Sequence, residues 1–486
     1  MKHKSIWKLA KRHKKRASRI AKETDVLIIG GGIAGMMTAY LLKDSGLKVA
    51  LIDKGEIGNG VTSCSTGKLT YLQGNYRNIA TTQSKEDAKL YLHSQREAIR
   101  LAKHIIKKEN IDCNFEEVDS YLFSSNKSDE KELKKEAELL EYFGIPFLWM
   151  QDDDFILPAT LAFKVEDTAV FHPVKFVKGI AAKCSNVEII EYVTAKEITK
   201  HEDVFFVKTD HNLWKTKELI VTTHYPFFLF PGTIPFRTHL ERSYLIASEV
   251  EETLPECGIS VGKETLSYRF HKDDKNYLLF ASESHKMTNH IDYEKRYDEM
   301  EEKFKAYFPY KMEYEWMTHD VVTDDSIPYI GMLKDHLFIA TGFNKWGMTN
   351  GILAGKVISD LLLEGSSPYQ KLLNPKRRQK LSTLLSKRSL SYLELSTLYV
   401  RTTLIKNHFF YRNAYVINEN GTPYGIYIDE KGIEHKVYNK CPHMHCNLIF
   451  NSNDKTWDCP CHGSRFTVDG DLLQGPSTTS IKIKDK

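Results

Sequence analysis

Cysteine and histidine side chains concentrate near the carboxyl end of this 486-residue chain. Four of its eight cysteines lie in the last 50 residues, where Cys441 and His443 form a C-x-H pair and Cys459 and His462 form a C-x-x-H pair. Such clustering in a cytosolic chain favours metal binding over structural disulfides. Two cysteines and two histidines in loops therefore predict a metal centre, and zinc is one candidate.

A second motif, near the amino end, has the spacing that binds the phosphates of a dinucleotide. The stretch DVLIIGGGIAGMMTAYLLKDSGLKVALID holds Gly30, Gly32 and Gly35 in the order G-x-G-x-x-G and ends on Asp53. A strand precedes the glycines, a helix follows, and a second strand leads to the acid, which completes a β-α-β unit. The helix start offers free N–H groups to a pyrophosphate, and Asp53 can bind ribose hydroxyls while repelling a 2′-phosphate. This unit predicts FAD or NAD and disfavours NADP.

Hydrophobic periodicity supplies the elements that must position these motifs. Helices are predicted at 85–108, 128–144 and 174–183, and buried strands at 187–193, 204–208 and 218–223. Alternating segments predict an antiparallel sheet inserted into the first domain at roughly 225–315, namely 240–249, 267–271 and 277–281.

A second strand–loop–helix unit follows this predicted sheet. A short buried strand at 337–340 leads into a glycine-bearing loop at 342–351 and an apolar helix at 352–363. This helix can aim another N-terminus at a ligand. A dinucleotide domain that is completed so far along the chain argues for FAD rather than NAD.

Residues 25–365 resemble the FAD-dependent oxidoreductases of the D-amino-acid oxidase type. The matching pieces are DVLIIGGGIAG, ALIDK, TSCSTGKLT, HPVKFVKGIA, IVTTHYPF, DDSIPYIG and ATGFNKWGMTNG. The resemblance implies an FAD site in three parts: an adenosine diphosphate part, a loop near the phosphate or flavin, and a helix start at the flavin pyrimidine edge. The implied residues are, in that order, Gly30, Gly32, Gly35, Asp53, Lys54 and Val193; Ser63, Thr66 and Lys68; and Gly342, Gly347, Met348 and Thr349.

From about residue 412 the pattern becomes all-β, with short strands and Gly and Asp turns. The arms CPHMHC and DCPCHGS resemble a Rieske [2Fe–2S] domain, in which two cysteines bind one iron and two histidines bind the other. The resemblance implies that the ligands are Cys441, His443, Cys459 and His462, that Cys446 and Cys461 form a disulfide between the two arms, and that residues 475–477 cover the cluster.

Two positions depart from the usual Rieske pattern. His445 stands where the family usually has glycine, and we expect it to face solvent rather than bind the metal. Phe466 stands where high-potential members carry a tyrosine, while Ser464 can still donate a hydrogen bond to a cluster sulfur. The resemblance therefore implies a potential below that of the respiratory type.

Substrate contacts are predicted on the alternating strands. Arg242 and Tyr244 lie in HLERSYLIASE, Arg269 lies in SYRF, and His285 lies in SESHK. An arginine on this sheet could bind a substrate carboxylate through two parallel hydrogen bonds. The alternative is that these side chains are ordinary charges on a strand surface.

The predicted fold class is α/β followed by all-β. A Rossmann-like FAD-binding domain carries the inserted substrate sheet, and a small Rieske β-domain follows it. The predicted segments are a basic arm (1–24), the oxidoreductase domain (25–365), a helical linker (366–411) and the Rieske domain (412–486).

Charge and hydropathy restrict the partners of the chain. Ten of the first 22 residues are Lys or Arg and none is acidic, which predicts a solvated, partly helical arm; weak contact with an anionic membrane surface is the alternative. No nucleic-acid partner is expected. No stretch approaches the roughly 18 apolar residues of a membrane span, so we expect a cytoplasmic protein.

The two resemblances together predict an oxidoreductase. A flavin oxidises a small amine or amino-acid-like substrate, and electrons pass between FAD and a Rieske cluster and then to or from an external carrier. One alternative is an electron-transfer protein that serves a partner and has no small-molecule substrate. Another is a zinc-bearing binding protein that only keeps the flavin fold.

Overall fold

The computed structural model describes residues 2–9, 22–150, 155–228, 234, 237–262, 265–287, 293–377 and 413–483. Two 3-10 helices lie at Ile6–Leu9 and Val61–Cys64. The α-helices are α1 (Ile33–Leu42), α2 (Tyr76–Thr82), α3 (Lys85–Glu109), α4 (Glu130–Phe143), α5 (Pro173–Ala182), α6 (Tyr293–Tyr307), α7 (Gly347–Leu363) and α8 (Gln370–Leu373).

The strands form two large sheets in the first part of the chain and two small sheets near its end. Those before the linker are β1 (Lys2–His3), β2 (Lys22–Ile29), β3 (Val49–Ile52), β4 (Lys68–Leu69), β5 (Glu116–Ser124), β6 (Leu148–Trp149), β7 (Leu161–Val170), β8 (Val187–Ile190), β9 (Ala195–His201), β10 (Val204–Thr209), β11 (Leu213–Val221), β12 (Thr238–Glu249), β13 (Glu256–Ser260), β14 (Ser267–Lys272), β15 (Asn276–Lys286), β16 (Met312–Thr323), β17 (Tyr329–Lys334) and β18 (Leu337–Thr341). Those after it are β19 (Ala414–Glu419), β20 (Thr422–Ile428), β21 (Glu434–Tyr438), β22 (Ile449–Asn451), β23 (Thr456–Asp458), β24 (Arg465–Thr467) and β25 (Leu472–Gln474).

The nucleotide-binding sheet has the order β17-β18-β11-β2-β3-β8, with β10 and β9 added beside β11. Strands β18, β11, β2, β3 and β8 run parallel, and Ile29 pairs with both Ile52 and Val221. Parallel strands buried on both faces read as continuous apolar runs, which is why these strands were predictable from the sequence. The carboxyl ends of β2, β3 and β11 meet at one edge and create the place for a ligand.

Helix α7 begins at Gly347, five residues before the predicted start at Ile352. The predicted glycine loop is therefore partly the first turn of the helix. Gly351 and Gly355 let α7 approach α1, because a Cβ atom on them would lie 2.4 Å from a methyl of Ile33 and 2.6 Å from Cβ of Met37. These glycines serve helix packing, a tertiary role that the sequence pattern does not distinguish from a loop.

The second sheet has the order β1-β16-β12-β15-β14-β13-β5-β7-β4, with β6 beside β7. The predicted insert at roughly 225–315 supplies β12 to β15, but β4 to β7 and most of β16 lie outside it. The insert boundaries were therefore too narrow. Strand β13 pairs in parallel with β5, a neighbour more than a hundred residues earlier, and such pairings leave no local signal in the sequence.

The amino-terminal arm is docked rather than solvated over residues 2–9. Strand β1 pairs with β16, His3 Nδ1 lies 2.8 Å from Glu315 Oε1, and Trp7 is only 1% exposed. The indole N–H of Trp7 donates to the carbonyl oxygen of Ser65 at 2.7 Å. The prediction of a solvated arm is wrong here because Ile6 and Trp7 are buried apolar side chains in an otherwise basic segment. Residues 10–21 of the predicted arm lie outside the described residues, and residues 22–24 are the start of β2 rather than part of an arm.

The carboxyl-terminal domain is all-β, as predicted. Its two antiparallel sheets have the orders β19-β20-β21 and β22-β23-β24-β25. Trp457, Phe450 and Phe466 fill the core between them. Most of the predicted helical linker, 378–412, lies outside the described residues. Among the described helices, none is long and apolar enough to cross a membrane.

Candidate functional site

The glycine motif at the end of β2 opens into a cavity lined by Gly30 and Gly32. Gly30 has φ +111°, and a Cβ atom on it would lie 2.8 Å from the carbonyl oxygen of Thr222. A Cβ atom on Gly35 would lie 1.9 Å from the carbonyl oxygen of Gly30, so the first turn of α1 can form only with glycine there. The backbone and helix start that result are suited to a pyrophosphate.

Asp53 lies at the end of β3 and lines the same cavity, together with Lys54 and Val193. Its Oδ2 accepts a hydrogen bond from Gly31 N at 2.6 Å, and its Oδ1 accepts one from Gly55 N at 2.7 Å. Burial raises the pKa of Asp53, and these two backbone donors oppose that rise. Each carboxylate oxygen has a further lone pair, so the group can still accept ribose hydroxyls.

The loop at 57–68 differs at one position from the residues implied by the resemblance, because Thr62 rather than Ser63 lines the cavity. Ser63 is fully buried, does not line the cavity, and donates its hydroxyl to the carbonyl oxygen of Gly60 at 2.8 Å. Thr62 lines the cavity instead, and its Oγ1 accepts from Ile33 N at 3.2 Å, at the start of α1. Two adjacent hydroxyl residues in a 3-10 turn point in different directions, which spacing alone does not reveal.

A second cavity adjoins the first at the start of α7. Both cavities are lined by Val61, Asp320, Gly347 and Met348. A flavin ring bound at this junction would lie between the nucleotide cavity and the second cavity. The backbone N–H groups and dipole of the α7 start would stabilise negative charge on that ring.

Of the remaining residues implied by the resemblance, two line the second cavity and two lie in the backbone that leads to α7 or in its first turn. Thr66 and Lys68 line the second cavity. Gly342 has φ +73°, and Thr349 is fully buried and bonds to the carbonyl oxygen of Thr70 at 3.3 Å. Neither of these two lines a cavity, so they shape the approach to α7 rather than contact a ligand.

The second cavity has a volume of about 110 Å³ and is rich in hydroxyl groups, including those of Ser243, Ser282 and Thr318. Its charged side chains are Lys68, Asp320 and Lys345. The sequence does not mark Asp320 or Lys345 as functional, because each looks like an ordinary charged residue. Only the fold orients their side chains towards the cavity.

Burial shifts the pKa of two of these charged groups. It lowers the pKa of Lys68 to about 8, and the Lys68 ammonium donates to Ser267 Oγ at 2.6 Å and to the carbonyl oxygen of Gly258 at 2.9 Å. It also raises the pKa of Asp320 to about 6, against the opposing charge of Lys345. Perturbed ionisable groups inside a cavity are typical of a functional site.

The predicted substrate contacts Arg242 and Tyr244 lie on the opposite face of β12 from the cavity. Their neighbours Ser243 and Leu245 line it instead. Arg242 is fully buried, and its Nη2 lies 2.9 Å from Oδ2 of Asp458 in the Rieske domain. The prediction for both residues is wrong because alternation shows that two faces exist, but not which face meets the ligand.

Arg269 and His285 also have structural partners rather than a place in the cavity. Arg269 Nη1 donates to the carbonyl oxygens of Gly67 at 2.9 Å and Phe171 at 3.0 Å, so it fixes the turn that carries the cavity-lining loop. His285 Nε2 lies 3.0 Å from the hydroxyl of Tyr244, within the buried layer behind the sheet. Among the described residues no arginine lines the cavity, so the predicted bidentate arginine is wrong.

The four predicted metal ligands converge in two loops of the Rieske domain. The pKa of Cys441 falls to about 7 because the Cys459 thiol hydrogen-bonds to it, and because main-chain N–H groups of His443 and Met444 point at its sulfur. The imidazoles of His443 and His462 have a centroid separation of 5.0 Å.

Both imidazoles are prepared for metal binding. Burial lowers the pKa of His443 to about 4 and that of His462 to about 3, so both rings are neutral near pH 7. Their ring nitrogens are buried, and none has a hydrogen-bond partner among the described residues. Two thiols and two orphaned neutral imidazoles fit a [2Fe–2S] cluster with mixed ligation.

The surrounding residues match the implied Rieske arrangement. Cys446 and Cys461 are joined by a disulfide that links the two loops. His445 is exposed and has φ +56°, which explains why glycine is usual there and confirms that its side chain faces solvent. The Ser464 hydroxyl hydrogen-bonds to Cys441 and accepts from Ser477 N at 2.9 Å.

The histidine face of the Rieske domain is packed against the oxidoreductase domain. Tyr225 lines the nucleotide cavity, and its ring centroid lies 5.2 Å from that of His462 and 6.5 Å from that of His443. Gly463 has φ +76°, and a Cβ atom on it would lie 2.9 Å from His319 Nε2. One aromatic side chain therefore stands between the nucleotide cavity and the metal ligands.

This geometry is that of a flavoprotein joined to an iron–sulfur domain, and comparisons with known proteins agree. Residues 25–361 match the family of FAD dependent oxidoreductases (DAO), and residues 409–484 match the Rieske [2Fe-2S] domain. The putative Rieske 2Fe-2S iron-sulfur protein YhfW of Bacillus subtilis (strain 168) is 30% identical over 478 residues, which are 95% of this chain and 94% of that protein.

Solved structures with the same fold cover the first part of the chain. The L-proline dehydrogenase from P. horikoshii has a TM-score of 0.61 at 19% identity, over 74% of this chain and 98% of its own. The glycine oxidase from Bacillus cereus ATCC 14579 has a TM-score of 0.59 at 17% identity, over 73% of this chain and 99% of its own. At these identities the likeness shows the fold.

The chain belongs to the DAO family of FAD-dependent oxidoreductases and carries a C-terminal Rieske domain. FAD and a [2Fe–2S] cluster are its cofactors, which confirms both predicted cofactors and the predicted class of enzyme. The choice between zinc and iron–sulfur at the four ligands is therefore decided for iron–sulfur.

Proposed function

We propose that this protein oxidises a small amine or amino-acid-like substrate in the cavity beside α7 and exchanges electrons between FAD and its Rieske cluster. Bound FAD removes two electrons from a C–H bond next to nitrogen, and a Rieske cluster carries one electron at a time. The observation that carries the proposal is the position of Tyr225, which lines the nucleotide cavity and packs on both imidazole ligands.

The charges of the substrate cavity support a substrate with a nitrogen and an anionic group. Lys68 offers an ammonium group to a carboxylate, in place of the predicted arginine, whereas the ammonium of Lys345 is paired with Glu241 Oε2 at 2.7 Å. Asp320 lies at the junction with the nucleotide cavity, where its carboxylate can accept a proton from a substrate ammonium. The hydroxyl groups of the cavity can orient the rest of a small polar molecule. The names of the two structural neighbours, a proline dehydrogenase and a glycine oxidase, agree with this class of substrate.

The burial of the histidine face supports internal electron exchange. Both imidazoles are covered by the oxidoreductase domain, so a carrier outside the protein does not reach their ring nitrogens in this arrangement. The predicted alternative, an electron-transfer protein without its own substrate, shares this internal route. However, an electron-transfer protein without a substrate does not require a cavity lined by a lysine, an aspartate and hydroxyl groups beside the flavin position.

Anaerobic mixing of the holoprotein with a panel of amines, amino acids and hydroxy acids tests the proposal. We expect at least one compound to bleach the flavin absorbance, followed by the EPR signal of the reduced cluster. Bleaching without the EPR signal would refute internal electron exchange. If no compound bleaches the flavin while a chemical reductant reduces both centres, the alternative is favoured.

Two variants at Tyr225 sharpen this experiment. Tyr225→Leu removes the ring that packs on His462, and Tyr225→Phe keeps it. We expect the EPR signal to appear more slowly after flavin bleaching in the leucine variant and at nearly the wild-type rate in the phenylalanine variant. Flavin content and EPR line shape are measured in both variants, so that a damaged site is not mistaken for a slower transfer.

A further inference from the structure

The segment Leu473–Thr478 of the Rieske domain, hereafter the covering loop, has two faces. All six of its residues line the cavity that also contains Gly30, Gly32 and Asp53. The same segment includes Ser477, whose N–H donates to Ser464 Oγ next to the predicted metal ligand Cys441. One loop therefore forms a boundary of both redox sites.

Hydrogen bonds hold the covering loop on both sides. On the nucleotide side, Lys54 Nζ donates to the carbonyl oxygen of Leu473 at 3.2 Å. On the cluster side, Ser477 N donates to Ser464 Oγ at 2.9 Å, and Ser464 in turn hydrogen-bonds to Cys441. The loop is thus tied to the residue that follows Asp53 and to a metal ligand.

The interface between the domains keeps the loop in this position. The ion pair of Arg242 and Asp458 is fully buried between the domains, and Asp458 also lies 3.2 Å from Arg465 Nε. The close approach of Gly463 to His319 leaves no room for a side chain. A buried ion pair and a close backbone contact fix the relative position of two surfaces.

The position of the loop identifies the part of FAD that it faces. An outer groove joins Leu473 and Thr478 to Lys54, Gly55 and Thr194. Lys54 and Gly55 are the two residues that follow Asp53, and Thr194 follows Val193; Asp53 and Val193 line the part of the cavity predicted to hold the adenosine diphosphate. The covering loop therefore closes the cavity at its adenosine end.

We propose that the covering loop is part of the FAD site, so that full FAD affinity requires the docked Rieske domain. The oxidoreductase domain supplies the glycine motif, Asp53 and most of the cavity wall, and the Rieske domain supplies the wall formed by the covering loop, which excludes water from the adenosine end. Exclusion of water strengthens the hydrogen bonds between the cofactor and the backbone of the motif. The inference depends on FAD binding and does not depend on the identity of the substrate.

Two adjacent threonines allow a matched test. Thr478 lines the nucleotide cavity and the outer groove, whereas Thr479 lines only the outer groove. Thr478→Trp places a large side chain into the FAD cavity, and Thr479→Trp places the same side chain outside it. FAD is removed from each full-length protein and titrated back, and the dissociation constant is obtained from the quenching of flavin fluorescence.

We expect Thr478→Trp to raise the dissociation constant of FAD at least about tenfold and Thr479→Trp to change it by less than about twofold. The EPR signal of the reduced cluster stays as in the wild type in both variants. Wild-type affinity in Thr478→Trp overturns the proposal, and so does an equal loss in both variants, because the loss would then reflect a distorted loop.

If Thr478→Trp loses the cluster signal, Gln474→Trp replaces it. Gln474 also lines the cavity, from strand β25 on the other side of Pro476. A raised dissociation constant with an intact EPR signal supports the proposal, and an unchanged dissociation constant overturns it.

Discussion

The metal site and the substrate cavity are built in opposite ways. All four predicted metal ligands lie between Cys441 and His462, in two loops of one small domain. The proposed substrate cavity takes its side chains from strands and loops spread between Val61 and Met348. The comparison teaches that a site made of fixed residue types at short spacing is visible in a sequence, whereas a cavity made by strand faces is not.

The FAD site stands between these two extremes. Its glycine motif is local and was recognised from spacing, but its cavity also includes Tyr225 and the covering loop, which come from elsewhere in the chain. The glycine motif was predictable because its backbone geometry requires glycine at fixed positions. Tyr225 and the covering loop were not predicted, because only the packing of distant elements brings them to the cavity.

The largest effect is expected at the local site. His443→Ala and His462→Ala each remove one of two nitrogen ligands from the same iron, so the EPR signal of the reduced cluster should vanish while flavin absorbance remains. His445→Ala is the control, because its side chain is exposed and should leave the signal unchanged. Survival of the signal in either ligand variant would contradict the assignment.

The glycine motif should be nearly as sensitive as the metal ligands. Gly32→Val places two methyl groups in the nucleotide cavity, so the purified protein should contain no FAD while keeping its cluster. Gly32→Ala should have a smaller effect, because a Cβ atom there would lie 3.3 Å from Thr62 Oγ1 and would still leave most of the cavity free. Absorbance at the flavin band measures both, and full FAD content in the valine variant would contradict the role of the motif.

Asp320 allows the substrate cavity to be tested through pH. Burial raises its pKa to about 6, so its carboxylate is protonated below that pH and becomes a proton acceptor above it. For an amine substrate, kcat/KM should rise as the pH increases through about 6. Asp320→Asn should lose this inflection and lower kcat/KM by roughly 10²–10⁴-fold, the usual contribution of a general base. Retention of the inflection in the asparagine variant would show that another group titrates there.

A substitution of Arg242 tests whether this residue contacts the substrate or holds the two domains together. Arg242→Met removes the ion-pair partner that the other domain supplies to the buried carboxylate of Asp458. This carboxylate keeps Arg465 and the hydroxyl of Thr456 as partners, and breaking a buried pair costs about 3–5 kcal/mol. We expect the urea midpoint of the cluster signal to fall. Arg296→Met is the control, since its pair with Glu299 is partly exposed and should contribute less than about 1 kcal/mol. An unchanged midpoint with a raised KM would restore Arg242 as a substrate contact.

The smallest expected effect concerns the potential of the cluster. Ser464 hydrogen-bonds to Cys441, and Phe466 fills the buried place where a tyrosine would add a second donor. One neutral hydrogen bond contributes roughly 1 kcal/mol, which is some tens of millivolts for a one-electron couple. A redox titration should show a lower potential for Ser464→Ala and a higher one for Phe466→Tyr. No upward shift in Phe466→Tyr, with the EPR line shape intact, would mean that this side chain does not reach the cluster.

The sequence by itself determined the class of fold and both cofactors, and it predicts the four metal ligands. Each depends on a short-range physical demand: Gly35 because any Cβ atom would strike the carbonyl of Gly30, and Cys441 and His443 because a cluster accepts only certain donor atoms. The buried parallel strands were also predictable, since burial on both faces requires continuous apolar runs.

Only the tertiary structure decided which residues meet a ligand. Alternation along β12 left two possible faces, and pairing with β15 and β16 turned Ser243 into the cavity and Arg242 towards Asp458. The docking of the Rieske domain then placed the covering loop on the nucleotide cavity and His462 against Tyr225. These choices depend on contacts between residues tens to hundreds of positions apart, and no local pattern records such contacts.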